Sequence, residues 1–519
     1  MGFTPLEFRP VASDPARVNH EEISNLIALV NRWRSPRVVV VGDFMLDRQS
    51  YGAAERLAPD APVPVLRVER EEHTPGGAAN VSLCLAALRC EVLAVGLVGD
   101  DAAGRQLQQA LRDKGVHADG LVAAADRPTT VKQSLVGLAQ HRHPQKMFRL
   151  DIESHGEPTP DLEKRMVERA EALLDGADAL CLEDYGKGVL TEPLCRRLID
   201  EAKRRGVPVL IDPAARDDFS RYRGATCLTP NRTEAERASG ATVSSEASAI
   251  ASLGASLQES LAVEVLVLTL DRQGAMLFEA DAPPMGVPTR ARSVYDVTGA
   301  GDMVLAMLAA AVSNGASWPQ AVALANVAAG LEVERFGVVC IELDEVLLAL
   351  LEEQGAAAGK ARTTEALLAE LAVHRRQGKT LGFTNGCFDV LHAGHVTYLR
   401  AAATEADLLV VAVNTDDSIR RIKGPDRPLN HQDDRLLVLS ELESVDYLVL
   451  FDSDTPIDLI TAIEPDVLIK GADYQKHEVV GHDVVEARSG RVALIPLVEG
   501  RSTTNLIQRA RQGGIEKHG

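Results

Sequence analysis

Short runs of apolar residues alternate with amphipathic stretches along the first two thirds of the chain. The clearest runs lie at Arg37–Val41, Ala179–Leu182, Val207–Ile211 and Val263–Leu268. Strands that are apolar throughout, rather than at every second position, are typical of a mostly parallel sheet with helices on both faces. The pattern therefore predicts an α/β unit that ends near residue 345.

A second series of apolar runs begins after a segment without large apolar residues, Glu352–Arg362, and an amphipathic helix predicted over Glu365–Arg376. The segment has the composition of a linker. The later runs predict the strands of a second α/β unit. These strands are Thr380–Phe383, Asp407–Val413, Tyr447–Phe451, Val467–Ile469 and Val492–Ile495. We therefore predict two α/β domains, 1–350 and 378–519, with a linker and connecting helix at 351–377.

The composition is that of a soluble globular protein, with 45% hydrophobic and 25% charged residues among 519. The formal net charge of -20 excludes a general binder of nucleic acid or anionic membranes, because both need a basic surface. The longest apolar run, Met303–Val312, is half of the ~20 residues that a membrane-spanning helix needs. Residues 1–10 lack the apolar region of a secretory signal, and the seven cysteines form no Cys-x-x-Cys pair. We expect a cytoplasmic protein.

The segment Asp296–Asp302, with the sequence Asp-Val-Thr-Gly-Ala-Gly-Asp, leads directly into the apolar run from Met303. Gly299 and Gly301 permit a tight turn, after which the first amides of a helix point at one spot and form an anion hole. A carboxylate there, Asp302, is placed to take a proton from a hydroxyl that attacks a phosphoryl group. For Gly-x-Gly-Asp alone, a helix entry capped by Asp302 is an equally good interpretation.

Four further motifs favour the catalytic interpretation. Asp47 follows the first strand, and Gly76–Asn80 precedes an apolar helix. Asp184–Gly188 and Asn231–Glu234 each follow a later strand. In this order, over about residues 35–340, the motifs resemble those of the ribokinase-like carbohydrate kinase family. The resemblance implies an α/β/α kinase domain that uses ATP and Mg2+ and acts on a sugar.

The resemblance also implies the roles of individual residues. Asp302 would be the catalytic base, with Gly299, Ala300 and Gly301 as the anion hole. Sugar-binding residues would be Asp47, Gly76, Gly77, Asn80 and Lys187. ATP-binding residues would be Asn231, Arg232, Thr233, Glu234, Thr269 and Gly274, with Glu234 holding Mg2+ through water. Lys187 and Arg149 would meet a substrate phosphate, although a solvated surface role is as good an interpretation of each. Many family members carry Thr-x-Gly-x-x-Gly here, whereas Thr269 is followed by Asp271 and then Gly274.

In the second unit, Thr384–His395 runs from a strand end into a helix and contains His392 and His395. Residues three apart share one helix face. Two histidines at this spacing are also found in zinc sites, but no Cys or carboxylate completes a recognisable signature. A structural histidine pair is the other alternative.

The same segment resembles the His-x-Gly-His nucleotidyltransferases, and the resemblance continues through Arg421–Gly424, Leu468–Gly471 and Arg501–Asn505. It implies a Rossmann-like domain in which a substrate phosphate attacks the α-phosphorus of a nucleoside triphosphate. Such chemistry needs charge stabilisation rather than a strong base. The implied catalytic residues are His392, His395 and Lys423. The implied ATP-binding residues are Phe388, Arg501, Ser502, Thr503 and Thr504, although Phe388 is a core residue on either interpretation.

Nearly the whole chain resembles the bifunctional heptose-7-phosphate kinase and heptose-1-phosphate adenylyltransferase family. The resemblance implies two ATP-dependent steps toward ADP-heptose, small sugar phosphates as the binding partners and a homodimer. Two alternatives stay open at this point. One is a sugar kinase fused to a cytidylyltransferase for a polyol phosphate, because the His-x-Gly-His motif does not select the base. The other is a non-enzymatic sensor, which the charged residues of both motifs argue against.

Overall fold

The computed structural model describes residues 20–138, 145–154, 156–244, 246–280, 282–289, 299–335, 337–355 and 359–496. The chain forms two compact units, Met1–Val346 and Leu347–Gly519. Each unit is a mixed arrangement of strands and helices with its own apolar core.

The strands of the first unit are numbered β1 to β13 in chain order. They are Arg37–Gly42 (β1), Phe44–Leu57 (β2), Pro64–Gly77 (β3), Glu91–Gly99 (β4), His117–Ala124 (β5), Thr130–Gly137 (β6), Gln145–Ile152 (β7), Ala179–Glu183 (β8), Val209–Asp212 (β9), Cys227–Leu228 (β10), Val265–Thr269 (β11), Ala275–Glu279 (β12) and Met285–Val287 (β13).

The helices of this unit are numbered α1 to α10, and the last of them extends into the second unit. They are His20–Asn31 (α1), Ala78–Ala87 (α2), Ala102–Asp113 (α3), Pro160–Leu173 (α4), Glu192–Arg205 (α5), Arg232–Ser239 (α6), Ala247–Leu261 (α7), Ala300–Ser313 (α8), Trp318–Val333 (α9) and Leu343–Gly355 (α10).

The main sheet of the first unit has nine strands in the order β13-β12-β11-β10-β9-β8-β1-β4-β5. All neighbours from β11 to β5 are parallel, and β12 and β13 are antiparallel additions at one edge. The four valines Val38–Val41 are fully buried, because helices cover both faces of a parallel sheet. The predicted α/β fold is confirmed.

The register of this sheet brings acidic residues to one edge. Gly42 pairs with Glu183, and Glu183 pairs with Asp212, so β1, β8 and β9 end side by side. Asp43 follows β1 directly. The chain continues from β1 to β4 on one side and later returns to β8 on the other, so a topological switch point lies between β1 and β8. Ligands of open α/β sheets bind at such points, beyond the carboxyl ends of the strands.

A separate four-stranded sheet, β3-β2-β6-β7, was not predicted from the sequence. Its strands are long and largely polar, and β7 is exposed at every position. These strands therefore do not stand out in the sequence as wholly apolar runs. In this sheet Asp47 lies on β2 and Gly76 on the neighbouring β3.

The second unit contains six parallel strands and six helices among its described residues. The strands are Ala361–Arg362 (β14), Leu381–Gly386 (β15), Leu408–Asn414 (β16), Tyr447–Phe451 (β17), Val467–Gly471 (β18) and Arg491–Ile495 (β19). The helices are Thr364–Arg376 (α11), Ala393–Ala403 (α12), Asp416–Lys423 (α13), Gln432–Ser440 (α14), Ile457–Ile463 (α15) and His482–Glu486 (α16).

The strand order of this sheet is β14-β17-β16-β15-β18-β19. The chain moves outward from β15 to β16 and β17, and then returns to β18 on the other side. The switch point of this Rossmann-like sheet is therefore between β15 and β18.

The residues predicted as a linker are partly regular. The helix α10 continues to Gly355, and Ala361 and Arg362 pair with β17 as an edge strand. The connecting helix is present as α11. Among the described helices, none combines the length and apolar character that crossing a bilayer requires.

Candidate active sites

Asp302 lies in the first turn of α8, whose N-cap is Gly299. Its carboxylate is 4% exposed and accepts two hydrogen bonds. Asn80 Nδ2 on α2 donates to Oδ2 at 2.6 Å, and the Tyr185 hydroxyl donates to Oδ1 at 3.0 Å. The structure therefore brings together two predicted residues that are 222 positions apart in sequence, Asn80 and Asp302. It adds Tyr185, which the sequence analysis did not select.

The environment of Asp302 tunes its acidity. Burial raises the pKa of Asp302 to about 6, against the opposing effect of the hydrogen bonds from Asn80 and Tyr185 and of the Lys132 charge. Burial also raises the pKa of Tyr185 far above its usual value, so its hydroxyl keeps the proton that it donates. A carboxylate whose pKa lies close to neutral is suited to accept a proton at neutral pH.

The helix start at Gly299 requires glycine. Its φ is +96°, and a Cβ there would lie 2.6 Å from Glu332 Oε1. Ala300 and Gly301 follow as the first helical residues. Their amides belong to the first turn, where no intrahelical acceptor is available. The arrangement is that of an anion-binding helix N-terminus with a carboxylate beside it.

The predicted sugar-binding residues lie on one sheet, one helix and one loop. Asp47 Oδ2 lies 2.6 Å from the place that a Cβ on Gly76 would take. Burial raises the pKa of Asp47, while the charges of Lys132 and Arg149 oppose the rise. Gly77 is the N-cap of α2, the helix that carries Asn80. The Asp47 charge acts on Asp302 and Asn80 donates to it, so both lie near that carboxylate.

Lys187 and Arg149 are both paired with carboxylates. Lys187 Nζ is 2.6 Å from Glu153 Oε2, and both side chains are largely buried. Arg149 makes two hydrogen bonds of 2.8 Å to Asp151 on the same strand. A substrate phosphate would have to compete with these partners.

Three carboxylates, those of Glu183, Asp212 and Asp302, each offer an oxygen within 4.8 Å of the others. Burial raises the pKa of Glu183 and of Asp212, and neighbouring carboxylates raise both further. Glu183 Oε2 has no hydrogen-bond partner among the described residues. Such a group of oxygens is a candidate site for a hard divalent cation. Sequence reasoning missed it, although Glu183 and Asp212 each end an apolar strand.

Asn231 and Glu234 form the capping box of α6. The Asn231 amide donates to Glu234 Oε2 at 2.8 Å, and the Glu234 amide donates to Asn231 Oδ1 at 2.9 Å. The charge of Glu234 contributes to the raised pKa of Asp212, so its carboxylate is near the acidic group. Arg232 is bonded to Glu236 and to the Val243 carbonyl.

Thr269 and Gly274 lie on either side of a short turn between β11 and β12. Thr269 forms an isolated parallel bridge with Asn231, which places it beside the start of α6. Gly274 has a φ of +90°, and a Cβ there would lie 2.0 Å from the Val287 carbonyl oxygen. The turn is therefore closely packed at Gly274. Thr233 lies on α6 itself.

In the second unit, His392 is the N-cap of α12, and its Nδ1 accepts a hydrogen bond from the Gly394 amide at 3.1 Å. The rings of His392 and His395 stack with centroids 3.9 Å apart. Phe388 is buried and contacts His395 edge-on at 5.4 Å. The two histidines therefore share one side of the helix start, as the spacing predicts.

His395 is held in the neutral form. Burial lowers the pKa of His395 to about 4, and the charges of His392 and Lys423 act in the same direction. Lys423 ends α13. His395 Nδ1 is buried and has no partner among the described residues. A neutral imidazole keeps one N–H to donate to a ligand.

A buried network that the sequence analysis missed anchors the turn before α12. Asp389 accepts hydrogen bonds from the Leu429 and Asn430 amides at 2.6 and 3.2 Å. Arg435, 2% exposed, donates to the Cys387 carbonyl at 2.6 Å and to Asp416 at 2.8 Å. Arg501, Ser502, Thr503 and Thr504 lie outside the described residues.

Comparison with known proteins places both units in families. Residues 35–343 match the pfkB family carbohydrate kinase model, and residues 383–509 match the cytidylyltransferase-like model. The Arabidopsis thaliana ribokinase complexed with ribose and ATP has a TM-score of 0.50 at 23% identity, covering 61% of this chain and 99% of the ribokinase. The Escherichia coli phosphofructokinase-2 in its tetrameric inhibited form has a TM-score of 0.50 at 17% sequence identity, with the same coverage of the two chains. At these identities the likeness shows the fold.

The fold and the two matches define a bifunctional enzyme, a carbohydrate kinase joined to a nucleotidyltransferase. The bifunctional protein HldE of Geobacter sulfurreducens is 42% identical over 488 residues, which are 94% of this chain and 98% of that protein. The protein of the same name from Ectopseudomonas mendocina is 44% identical over 480 residues, 92% and 98% of the two chains. The chain belongs to the family of bifunctional HldE proteins.

Proposed function

We propose that the first unit phosphorylates D-glycero-β-D-manno-heptose 7-phosphate at O1, using ATP, to give the 1,7-bisphosphate. The second unit then transfers AMP from ATP to D-glycero-β-D-manno-heptose 1-phosphate, which gives ADP-heptose and pyrophosphate. A separate phosphatase removes the 7-phosphate between the two steps. The observation that carries the proposal is the identity of more than 40% with HldE proteins along both units.

In the kinase step, Asp302 accepts the proton of the anomeric hydroxyl as its oxygen attacks the γ-phosphorus of ATP. Asn80 and Tyr185 hold the carboxylate in place and stabilise its charged form. The amides of Gly299, Ala300 and Gly301 stabilise the charge that develops on the transferring phosphoryl group. Asp47, Gly76, Gly77 and Asn80 bind the sugar, and Lys187 faces its phosphate.

The acidic group beside Asp302 fits Mg2+, the cation that the kinase chemistry implies. Its donors are carboxylate oxygens, and Glu183 Oε2 is buried without a partner among the described residues. Glu183 and Asp212 would hold the ion, with Glu234 acting through water because Mg2+ keeps part of its hydration shell. The ion supplies positive charge that offsets the charge of the ATP phosphates. Asn231, Arg232, Thr233, Thr269 and Gly274 lie around the nucleotide.

In the nucleotidyl transfer, an oxygen of the sugar 1-phosphate attacks the α-phosphorus of ATP and pyrophosphate leaves. The nucleophile is already anionic, so the work of the site is positioning and charge stabilisation. His392 and His395 donate from the start of α12, where the helix dipole adds positive character. Lys423, Arg501 and Ser502 to Thr504 bind the phosphates, and Phe388 packs against the nucleotide.

We also propose that the chain works as a cytoplasmic homodimer. The four-stranded sheet presents four large apolar side chains on β7, of which Phe148 is 63% exposed. The others are Met147, Leu150 and Ile152. Phe148, Leu150 and Ile152 stand at every second position of β7 and so share one face of the strand, and an exposed apolar face is a typical protein contact surface. Light scattering of the purified chain tests the dimer, and a monomeric mass at all concentrations would contradict it.

Mass spectrometry of the products tests the two reactions. The full chain is incubated with heptose 7-phosphate, ATP and Mg2+, with and without a phosphatase. We expect heptose bisphosphate without the phosphatase and ADP-heptose with it. Supplying the second unit with heptose 1-phosphate and each nucleoside triphosphate tests base selection. A preference for CTP would favour a cytidylyltransferase and contradict the proposal.

A further inference from the structure

Lys470 lies at the switch point of the second sheet and is not among the residues assigned to the reaction so far. It is the penultimate residue of β18, and β18 pairs directly with β15. Its Nζ donates to the Asn385 carbonyl oxygen at 3.3 Å. Asn385 belongs to the end of β15, from which the chain runs into the turn that carries His392 and His395. Lys470 therefore lies at the carboxyl end of the sheet, against the start of the segment that leads from β15 to the two histidines.

The ammonium group of Lys470 has fewer hydrogen-bond acceptors than it has N–H donors. It has three N–H donors, and among the described residues its hydrogen-bond acceptor is the one carbonyl, with no carboxylate within 4.0 Å. The ring of Tyr474 lies 5.9 Å from Nζ. Burial lowers the pKa of Lys470 to about 8, although Asp473 and Cys387 oppose the shift. A partly buried cation with unused donors is unfavourable unless a ligand completes its environment.

Two polar atoms on the segment from β15 to α12 also lack partners. Asn385 Oδ1 and His395 Nδ1 are both buried without a hydrogen-bond partner among the described residues. One is an acceptor and one is a ring nitrogen that donates in the appropriate tautomer. A cation and an acceptor side by side, with a ring-nitrogen donor further along the same segment, match a ligand that carries both phosphate and hydroxyl groups.

We propose that Lys470 binds a phosphate group of a substrate in the second unit, and that Asn385 Oδ1 accepts a hydroxyl of the same ligand. This assignment rests on the proposed nucleotidyl transfer, whose substrates are ATP and a sugar 1-phosphate. Both carry phosphate, so Lys470 acts on whichever of the two reaches the end of β18. Its contribution is to bind and stabilise negative charge next to the histidines.

Lys476 offers a matched control. It follows Lys470 by six positions in the sequence. Its Nζ, however, forms an ion pair of 2.6 Å with Glu486, and its side chain is 58% exposed. The variants Lys470→Met, Lys470→Arg and Lys476→Met are prepared in the full chain. The kinase reaction of each variant, measured in the same sample, reports the protein concentration, and the calorimetric transition of the second unit reports whether that unit is folded.

For Lys470→Met we expect kcat/KM of nucleotidyl transfer to fall about 100-fold, as for the loss of one charge-stabilising donor. Lys470→Arg should recover part of the loss, because it retains the charge, and Lys476→Met should match the wild type. A rise in KM for ATP alone assigns the contact to the nucleotide, and a rise in KM for the sugar 1-phosphate alone assigns it to the sugar. Wild-type kcat/KM for both substrates in Lys470→Met would overturn the proposal.

Amine labelling of the wild-type chain tests the contact without any substitution. The protein is treated with an acylating reagent in the presence of ATP, heptose 1-phosphate or inorganic phosphate, and each lysine is quantified by mass spectrometry. We expect at least one of these anions to protect Lys470 and none to protect Lys476. Equal labelling of Lys470 in all conditions would refute the assignment. A wild-type chain that forms no ADP-heptose but shows protection by ATP would instead contradict the proposed substrate alone.

Discussion

The hydrogen bond from Tyr185 to Asp302 gives a sharp test of the proposed kinase chemistry. The substitution Tyr185→Phe removes the hydroxyl that donates to Asp302 Oδ1 at 3.0 Å. It retains the ring, over which Lys132 Nζ lies at 4.7 Å from the centroid. The change therefore alters the stabilisation of the carboxylate while leaving the packing of the side chain in place.

The size of the effect follows from the hydrogen bond that is lost. A hydrogen bond to a charged group contributes about 1.5–3 kcal/mol. A loss of about 1.4 kcal/mol in the ionised form relative to the protonated form raises a pKa by one unit. Taking the lower end of that range, the pKa of Asp302 is expected to rise from about 6 to about 7.

The direction of the activity change follows from the role of a base, which must be ionised to accept a proton. At about pH 6 the ionised fraction falls from about one half to about one tenth, so kcat/KM of the kinase falls about fivefold. Above about pH 8.5 both enzymes are almost fully ionised, and their rates converge. The defect should therefore appear as a shift of the acid limb of the profile.

The assay is the pH profile of kinase kcat/KM for both enzymes, with the nucleotidyl transfer of the same samples as an internal control. Tyr222→Phe is the matched variant, because the Tyr222 hydroxyl also donates to a buried carboxylate, Asp184, at 2.6 Å. It should leave the acid limb in place. An equal loss of Tyr185→Phe activity at every pH, or an acid limb that moves downward, would show that Asp302 is not the base or that Tyr185 does not tune it.

Four further substitutions test other parts of the structure. Asp302→Asn should lower the kinase rate at least about 1000-fold, within the range for general bases, and leave nucleotidyl transfer unchanged in a parallel assay. His395→Ala should do the reverse, with a loss of about 100- to 1000-fold; loss of both reactions in a folded chain would contradict the independence of the sites. Arg435→Met should destabilise the second unit by about 1–3 kcal/mol, because the Cys387 carbonyl loses this donor and Asp416 keeps His431 but loses the guanidinium, and calorimetry should show one earlier transition while the kinase stays active. Gly274→Ala should raise the KM for ATP of the kinase, since its Cβ would lie 2.0 Å from a carbonyl oxygen; an unchanged KM would separate this turn from the nucleotide.

The parts of the fold that the sequence predicted are those whose strands are wholly apolar. Arg37–Val41 and Val263–Leu268 coincide closely with β1 and β11, because a strand covered on both faces is selected for apolar side chains along its length. The strands of the four-stranded sheet are only partly covered, and β7 is exposed along its whole length. Their polar sequences therefore carry no such signal. The edge strand Ala361–Arg362 is too short to be distinguished from a linker by composition.

The candidate sites were predictable only as separate motifs. Asp302, His392 and His395 are predicted as site residues from their glycine-rich surroundings and their spacing. That Asn80 donates to Asp302, or that Glu183 meets Asp212, depends on strand register and helix placement, which link residues far apart in sequence. Tyr185 lies within the Asp184–Gly188 motif, yet nothing in its local sequence indicates that its hydroxyl faces Asp302. The capping box of Asn231 and Glu234 shows the opposite case, in which a motif chosen for ligand binding also has a local structural role.

The net charge of -20 sharpens the electrostatic problem that both reactions pose. An acidic exterior repels ATP and sugar phosphates on average, so attraction must be generated locally. In the kinase unit, the start of α8 supplies amide donors, but three carboxylates lie within 4.8 Å of one another beside it. Their mutual repulsion, together with the phosphates, is unfavourable unless a cation joins them. The second unit instead has two histidines at the start of α12, with the charge of Lys423 acting on His395, and Lys470 at the end of the neighbouring strand β18. The proposed kinase site thus needs a bound ion to offset its carboxylates in addition to Lys132 and Lys187, whereas the proposed second site relies on its lysine and histidine side chains.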